Sequence, residues 1–194
     1  MSSRRQTAFA FRTHGGKRRG AGRKPKGERA GVPHTPRPRF ASPLPVHVTV
    51  RMLPHVWNLR SRRSFRVVGR ALELAGTKVG TRICEFSIQG NHIHIVAEAA
   101  DHRALARTMQ GLGVRVARGL NRMMRRKGNV LADRYHARLL RTPTETRHAV
   151  HYVRNNFRKH LGATGLDEYS SANPDFALDA PATWLLRQVR HRRE

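Results

Sequence analysis

Along the middle of the chain the apolar residues recur with two different periods. Val46, Val48, Val50 and Met52 alternate with His47, Thr49 and Arg51, which predicts a half-buried strand. Residues 60–78 place Phe65, Val68, Leu72 and Ala75 on one face at helical spacing. Ile83 to Gln89 reads as a second strand and His92 to Glu98 as a third, with Gly90-Asn91 as the turn between them. Asp101 can cap a long helix with the stripe Leu105, Met109, Leu112, Val116, Leu120 and Met124. Gly111, Gly113 and Gly119 count against that helix at about 1 kcal/mol each. Val130 to Leu140 reads as a fourth strand. Thr142-Pro143-Thr144-Glu145 then offers a capping hydroxyl, a proline at the first helical position and a glutamate three after the cap. Gly162 ends that helix.

The resulting order is β-α-β-β-α-β with one more helix. This predicts an α+β fold, a ferredoxin-like split βαβ antiparallel sheet with an added C-terminal helix that bears Tyr152. The fold alone decides no function. Three segments follow: a disordered basic arm over 1–45, a folded domain over 46–165 and a tail over 166–194. The arm is rich in Gly, Arg and Pro and poor in large apolar residues, so it cannot offset the entropy of ordering. The tail reads as a loop and a short helix around Trp184-Leu185-Leu186-Arg187 that docks back.

Charge changes the picture. The chain of 194 residues carries 39 Lys and Arg against 12 Asp and Glu, a net +27. A fold so charged repels itself and calls for a polyanion, with nucleic acid first and an anionic membrane surface second. No run of 18 apolar residues exists, so no membrane span is expected. The N-terminus lacks the apolar core of a signal peptide, and the single cysteine, Cys84, excludes an intrachain disulfide framework and a cysteine zinc cluster. A cytoplasmic, nucleoid-associated protein is expected. Arginine dominates, and its planar fork suits phosphates and stacks on bases. Arg115, Arg118, Arg122, Arg125, Arg126 and Lys127 are placed on the second long helix as a grip for the DNA backbone. Arg134 and Arg138 on the fourth strand, and Lys17, Arg18, Arg19, Arg23 and Lys24 in the arm, complete the candidate DNA contacts.

Two constellations carry chemistry. In His92-Ile93-His94 the imidazoles share one strand face while Ile93, Ile95 and Ala97 share the other. Neutral imidazole is a good ligand for a divalent metal. On the helix over 143–161, Val150, Val153, Phe157 and Leu161 form the apolar stripe. His148, Tyr152 and Asn156 recur at steps of four on another face. Each pattern alone also fits ordinary packing.

Together they are more specific. Gly90-Asn91-His92-Ile93-His94-Ile95-Val96 and Tyr152-Val153-Arg154-Asn155-Asn156, in a strongly basic core, resemble the single-tyrosine HUH transposases of small bacterial insertion sequences. Asn rather than Gln four residues after the tyrosine is closest to the REP-associated tyrosine transposases. The resemblance spans about residues 46–162. Phe157-Arg158-Lys159-His160 departs from the proline-containing stretch of that branch, and the long arm departs from the minimal members.

The resemblance implies strand transfer on single-stranded or hairpin DNA. His92, His94 and Asn156 would bind one Mg²⁺ or Mn²⁺. Tyr152 would be the nucleophile, giving a 5′-phosphotyrosine and a free 3′-OH. A phenol titrates near pH 10, so the hydroxyl needs help from the metal and nearby bases, with His148 a candidate proton acceptor. Minimal members work as homodimers, and the REP-associated branch need not. Other readings compete. Tyr135 is a rival nucleophile. A carboxylate-based nuclease would need an acid cluster, but Glu73, Glu85, Glu98, Asp101, Asp133 and Glu145 have no motif spacing. A non-catalytic nucleic-acid-binding module would stack bases on sheet aromatics, and the strands offer mainly Phe86 and Tyr135. A domesticated relative that processes chromosomal repeats would share all these residues.

Overall fold

The pairing of strands follows from which runs are apolar on which side. The computed structural model describes residues 36–75, 80–162, 165–174, 176 and 178–191. In chain order the elements are β1 (Leu44–Arg51), α1 (Arg62–Glu73), β2 (Thr81–Ile88), β3 (His92–Ala99), α2 (His102–Met123), β4 (His136–Leu139), α3 (Pro143–Leu161) and α4 (Trp184–His191). The sheet order is β2-β3-β1-β4, and every pairing is antiparallel. This is the predicted split βαβ, with β1 and β3 at its centre. None of the described helices is long and apolar enough to cross a membrane.

Each sheet face is covered. On one face Val46, Val48 and Val50 of β1 and Ile93, Ile95 and Ala97 of β3 pack with Val68 and Leu72 of α1 and Leu105, Met109, Leu112, Val116 and Leu120 of α2. On the other, Cys84 and Val96 pack with Ala149, Val150 and Val153 of α3 and Leu186 and Val189 of α4. The face opposite Ile93 is therefore also interior, and His94 is only 5% exposed.

Several boundaries differ from the sequence pattern. The first long helix is shorter than residues 60–78. Ser61 caps it, its side chain accepting from Ser64 N, and it closes at Leu74. The fourth strand is shorter than Val130 to Leu140. Only His136–Leu139 joins the ladder, with an isolated bridge at Leu131. Residues 132–134 form a bend between that bridge and β4, in which Asp133 Oδ1 accepts from Arg134 N at 2.6 Å. Arg134 thus precedes β4 instead of lying on it. Likewise α2 ends at Met123, so Arg125, Arg126 and Lys127 follow it, and Arg125 has a φ of 53°. The folded unit also begins before residue 46: Phe40 is buried in the core, and the Arg37 guanidinium lies 3.8 Å from the Tyr135 ring centroid. The arm residues Lys17, Arg18, Arg19, Arg23 and Lys24 lie outside the described residues.

The expected caps are present. The Asp101 side chain accepts from Ala104 N at 2.6 Å. Thr142 Oγ1 accepts from Glu145 N at 3.2 Å, Pro143 opens α3, and Gly162 closes it in the left-handed region at φ 61°.

The tail docks along the sheet. Tyr169 O accepts from Ile88 N, and Ser171 N donates to Phe86 O, each at 2.9 Å. The Phe176 ring packs against Phe86 and lies where a Cβ on Gly69 would stand, 2.8 Å away. The buried Glu98 carboxylate accepts from Ala182 N at 2.7 Å and Thr183 N at 2.8 Å, and so caps α4 from β3.

Two expectations follow. A Cβ on Gly119 would stand 2.5 Å from Val67 Cγ1, where α2 crosses α1. Gly119→Ala gains about 1 kcal/mol of helix propensity but overpacks a stiff branched neighbour at about 1–3 kcal/mol. It should lower stability in urea denaturation, and Val67→Ala should restore most of the loss; a Gly119→Ala protein more stable than the parent contradicts the close crossing. Glu98→Ala should raise amide exchange over residues 182–189 well above that of β1. Unchanged protection there would show that the carboxylate does not hold α4.

Candidate functional site

The site is built on the α3 side of the sheet. Alternation along β3 puts His92, His94, Val96 and Glu98 on this side. The ladder pairs Thr49 with His94 and His47 with Val96, so β1 contributes two polar side chains to the same surface. β4 adds His136 opposite Thr49 and Arg138 opposite His47. Above them runs α3, with Val150 and Val153 buried and Tyr152 37% exposed.

The aromatic rings meet. The His92 and His94 centroids are 4.7 Å apart, with the rings edge-on. The Tyr152 ring stands edge-on to His94 at 5.1 Å and to His47 at 5.9 Å. His47 and His94 are 5.3 Å apart at 33°. Thus three elements, β1, β3 and α3, bring one phenol and three imidazoles together.

Hydrogen bonds hold the rings in place. His92 Nδ1 donates to Asn91 Oδ1 at 2.8 Å, which leaves the lone pair of a neutral ring on Nε2. Around His94 Nδ1 lie Thr49 Oγ1 at 3.2 Å and His47 Nε2 at 3.3 Å. Burial lowers the pKa of His47 to about 4, with the neighbouring charges of His136 and Arg138 acting in the same direction. His47 is therefore neutral at pH 7.

The tyrosine helix is tied to the sheet two residues beyond Tyr152. Arg154 forms a bidentate ion pair with Glu85, and Ser171 Oγ donates to the same carboxylate at 2.6 Å. Glu85 reaches this side through a bulge in β2. The register shifts between Ile83 and Glu85, so Cys84 packs on the α3 side and Glu85 lies opposite Val96. Without the bulge, Glu85 would share the face of Ile83.

Among the described residues no three His, Cys, Asp or Glu side chains are gathered as a metal site. Among the described residues, a third ligand beside His92 and His94 would therefore come from another donor type. Asn156 is one turn beyond Tyr152, 2% exposed, and its Nδ2 makes no hydrogen bond. A buried amide end without a partner is costly, and a half-turn of the last torsion exchanges its nitrogen for the carbonyl oxygen. Two imidazoles and one amide oxygen suit a divalent first-row ion or Mg²⁺.

Other candidates fall elsewhere. His148 is exposed, and among the described residues the imidazole rings that lie against Tyr152 are His47 and His94. Tyr135 packs with the α2-side core, across the sheet from His92 and His94, and burial raises its pKa. Arg115, Arg118 and Arg122 are exposed on α2, and therefore on the far side of the sheet from Tyr152. Arg138 alone of the candidate DNA contacts in strands shares the tyrosine side, where it meets Glu145 at 3.3 Å. A groove of about 560 Å³ lies on the α2 side, bordered by Met109, Val114, Leu131 and Tyr135. None of the imidazoles described above lines it.

His47 and Thr49 were not singled out from the sequence. Their signal was present: they are the polar positions of β1, one strand away from the histidine pair. Glu85 had no such signal, because its orientation depends on the bulge.

No family model matches the sequence, and no curated protein matches it. Eight chains of solved structure do match. One is a REP-associated tyrosine transposase bound to a REP hairpin: 14% identity, TM-score 0.54, covering 68% of this chain and 76% of that one. Another is described as a candidate transposase from Deinococcus radiodurans: 13% identity, TM-score 0.44, covering 56% of this chain and 87% of that one. The chain has the fold of a REP-associated tyrosine transposase.

Proposed function

We propose that this protein cleaves and rejoins single-stranded DNA, with hairpin-forming or palindromic repeats as substrate, through a covalent link to Tyr152. The observation that carries the reading is the exposed Tyr152 ring standing against His94, with His92 beside it, on one sheet face. A tyrosine on a tethered helix above paired imidazoles suits phosphoryl transfer. It has no evident purpose in a packed core.

The Tyr152 hydroxyl attacks the scissile phosphorus, and the P–O3′ bond breaks. The phenol proton passes to solvent or a nearby base, and the leaving O3′ takes up a proton. The products are a 5′-phosphotyrosine and a free 3′-OH. The phosphodiester energy is retained, so a 3′-OH can attack the link and rejoin strands without a nucleotide cofactor. His92, His94 and Asn156 would hold one Mg²⁺ or Mn²⁺, which when bound supplies positive charge to a non-bridging phosphate oxygen. Arg154 and Glu85 keep α3 at a fixed height above the sheet, which sets the approach of the hydroxyl. Arg138, on the same side, is placed to meet backbone phosphate.

The cationic surface supports a nucleic-acid substrate, since 39 basic residues face 12 acidic ones. The basic residues of α2 and the segment after it, Arg115, Arg118, Arg122, Arg125, Arg126 and Lys127, would hold DNA outside the cleavage site, as would the arm. A module that stacks bases on an open sheet is disfavoured, because α3 and α4 cover one face and α1 and α2 the other. Phe86 is fully buried. Action as a homodimer and a location with the nucleoid are compatible with this reading.

Incubation with labelled single-stranded hairpin DNA and Mn²⁺ should give a denaturation-resistant adduct. Tyr152→Phe should reduce it to about 1% or less, because a phenyl ring has no nucleophile. His94→Ala should reduce it about 100-fold or more at limiting metal. Tight binding of every strand with no adduct would sink the proposal in favour of a binding module. An adduct that survives Tyr152→Phe would move the nucleophile elsewhere.

A further inference from the structure

The mechanism above uses His92, His94 and Tyr152 but leaves two polar residues of β1 without a purpose. Thr49 is directly opposite His94 in the β1–β3 ladder, and His47 is two residues along the same strand face. Thr49 Oγ1 lies 3.2 Å and His47 Nε2 3.3 Å from the same atom, His94 Nδ1. Both are half-buried between the sheet and α3. Polar side chains in such a place need partners, and these two converge on one nitrogen.

We propose that Thr49 and His47 are positioning residues that hold the proton of His94 on Nδ1, so that the lone pair of the ring is on Nε2. The proposal rests on the reading of His94 as a metal ligand. A neutral imidazole has one N–H and one lone pair, on different nitrogens. With two β1 groups packed around Nδ1, a metal can approach His94 only at Nε2. Ligation there requires the Nδ1–H tautomer, with Nδ1 donating to the threonine oxygen or to the lone pair of His47 Nε2. His92 has the same arrangement by a different route, since Asn91 Oδ1 accepts from its Nδ1. The two imidazoles then present equivalent nitrogens. Partners of this kind orient the ring and raise its basicity, and their loss typically costs 10–100-fold in metal affinity.

The tests use the full chain. Nitrogen-15 NMR of the metal-free protein should show His94 as the Nδ1–H tautomer. Manganese titration followed by electron paramagnetic resonance should show binding about 10–100-fold weaker in His47→Leu/Thr49→Val than in the parent. Thr49→Ser, which keeps the hydroxyl, should bind as the parent does. Circular dichroism melting reports whether each variant is folded. If the double variant does not fold, the tautomer of the parent decides. An Nε2–H tautomer of His94 in the parent overturns the proposal. A parent that binds Mn²⁺ while the folded double variant binds it equally well removes only this proposal. A parent that binds no Mn²⁺ removes the metal reading of the site, and this inference with it.

Discussion

Thr49 faces His94 across the β1–β3 ladder, and Ser87 faces it across the β2–β3 ladder. That register decides which side chains meet beneath α3. Side chains in a strand alternate with period two, so a slip of one residue would exchange the two faces of β3. Ile93 and Ile95 would then lie under Tyr152, and His92 and His94 would enter the apolar core of α1 and α2. Two unpaired imidazoles in that core would each cost roughly 1–3 kcal/mol in lost hydrogen bonds. The same apolar burial that stabilises the fold therefore enforces the chemistry of the site.

The tyrosine side is held by two carboxylates that are themselves buried. Glu85 binds Arg154 of α3 and Ser171 of the tail, while Glu98 caps α4. Isolated buried charges would be strongly unfavourable. Both carboxylates accept several hydrogen bonds, so each has its partners supplied by the elements it fixes. The tail thereby becomes part of the domain. It runs beside β2, packs Phe176 onto Gly69 and completes the layer that α3 begins.

The two sides of the sheet carry different side chains. Helices α1 and α2 carry exposed arginines and no part of the tyrosine constellation. The α3 side carries the imidazoles, Tyr152 and Arg138. A nucleic acid held along the arginines of α2 and a strand lying at Tyr152 would therefore be on opposite sides of one thin sheet. Any substrate that uses both must wrap around an edge or be engaged in two separate segments.

Much of this was legible in the residues. The period-two runs gave β1 and β3, the caps at Asp101, Thr142 and Gly162 marked helix ends, and the His92–His94 pair and Tyr152 stood out by spacing. These are local patterns, and local sterics and hydrogen bonding decide them. The fourth strand was overdrawn: residues 132–134 bend away between the bridge at Leu131 and β4, where the Asp133 side chain accepts from Arg134 N. The glycines of α2 counted against the helix on propensity alone. At Gly119 the absence of a side chain is what lets α1 approach. His47 and Thr49 became site residues only when β1 paired with β3, and Glu85 only when the bulge turned it toward α3. Sequence by itself determined the order and type of the elements and the chemistry each could offer. Tertiary structure decided which of those side chains share one face, because register, bulges and helix coverage depend on contacts between residues far apart in the chain.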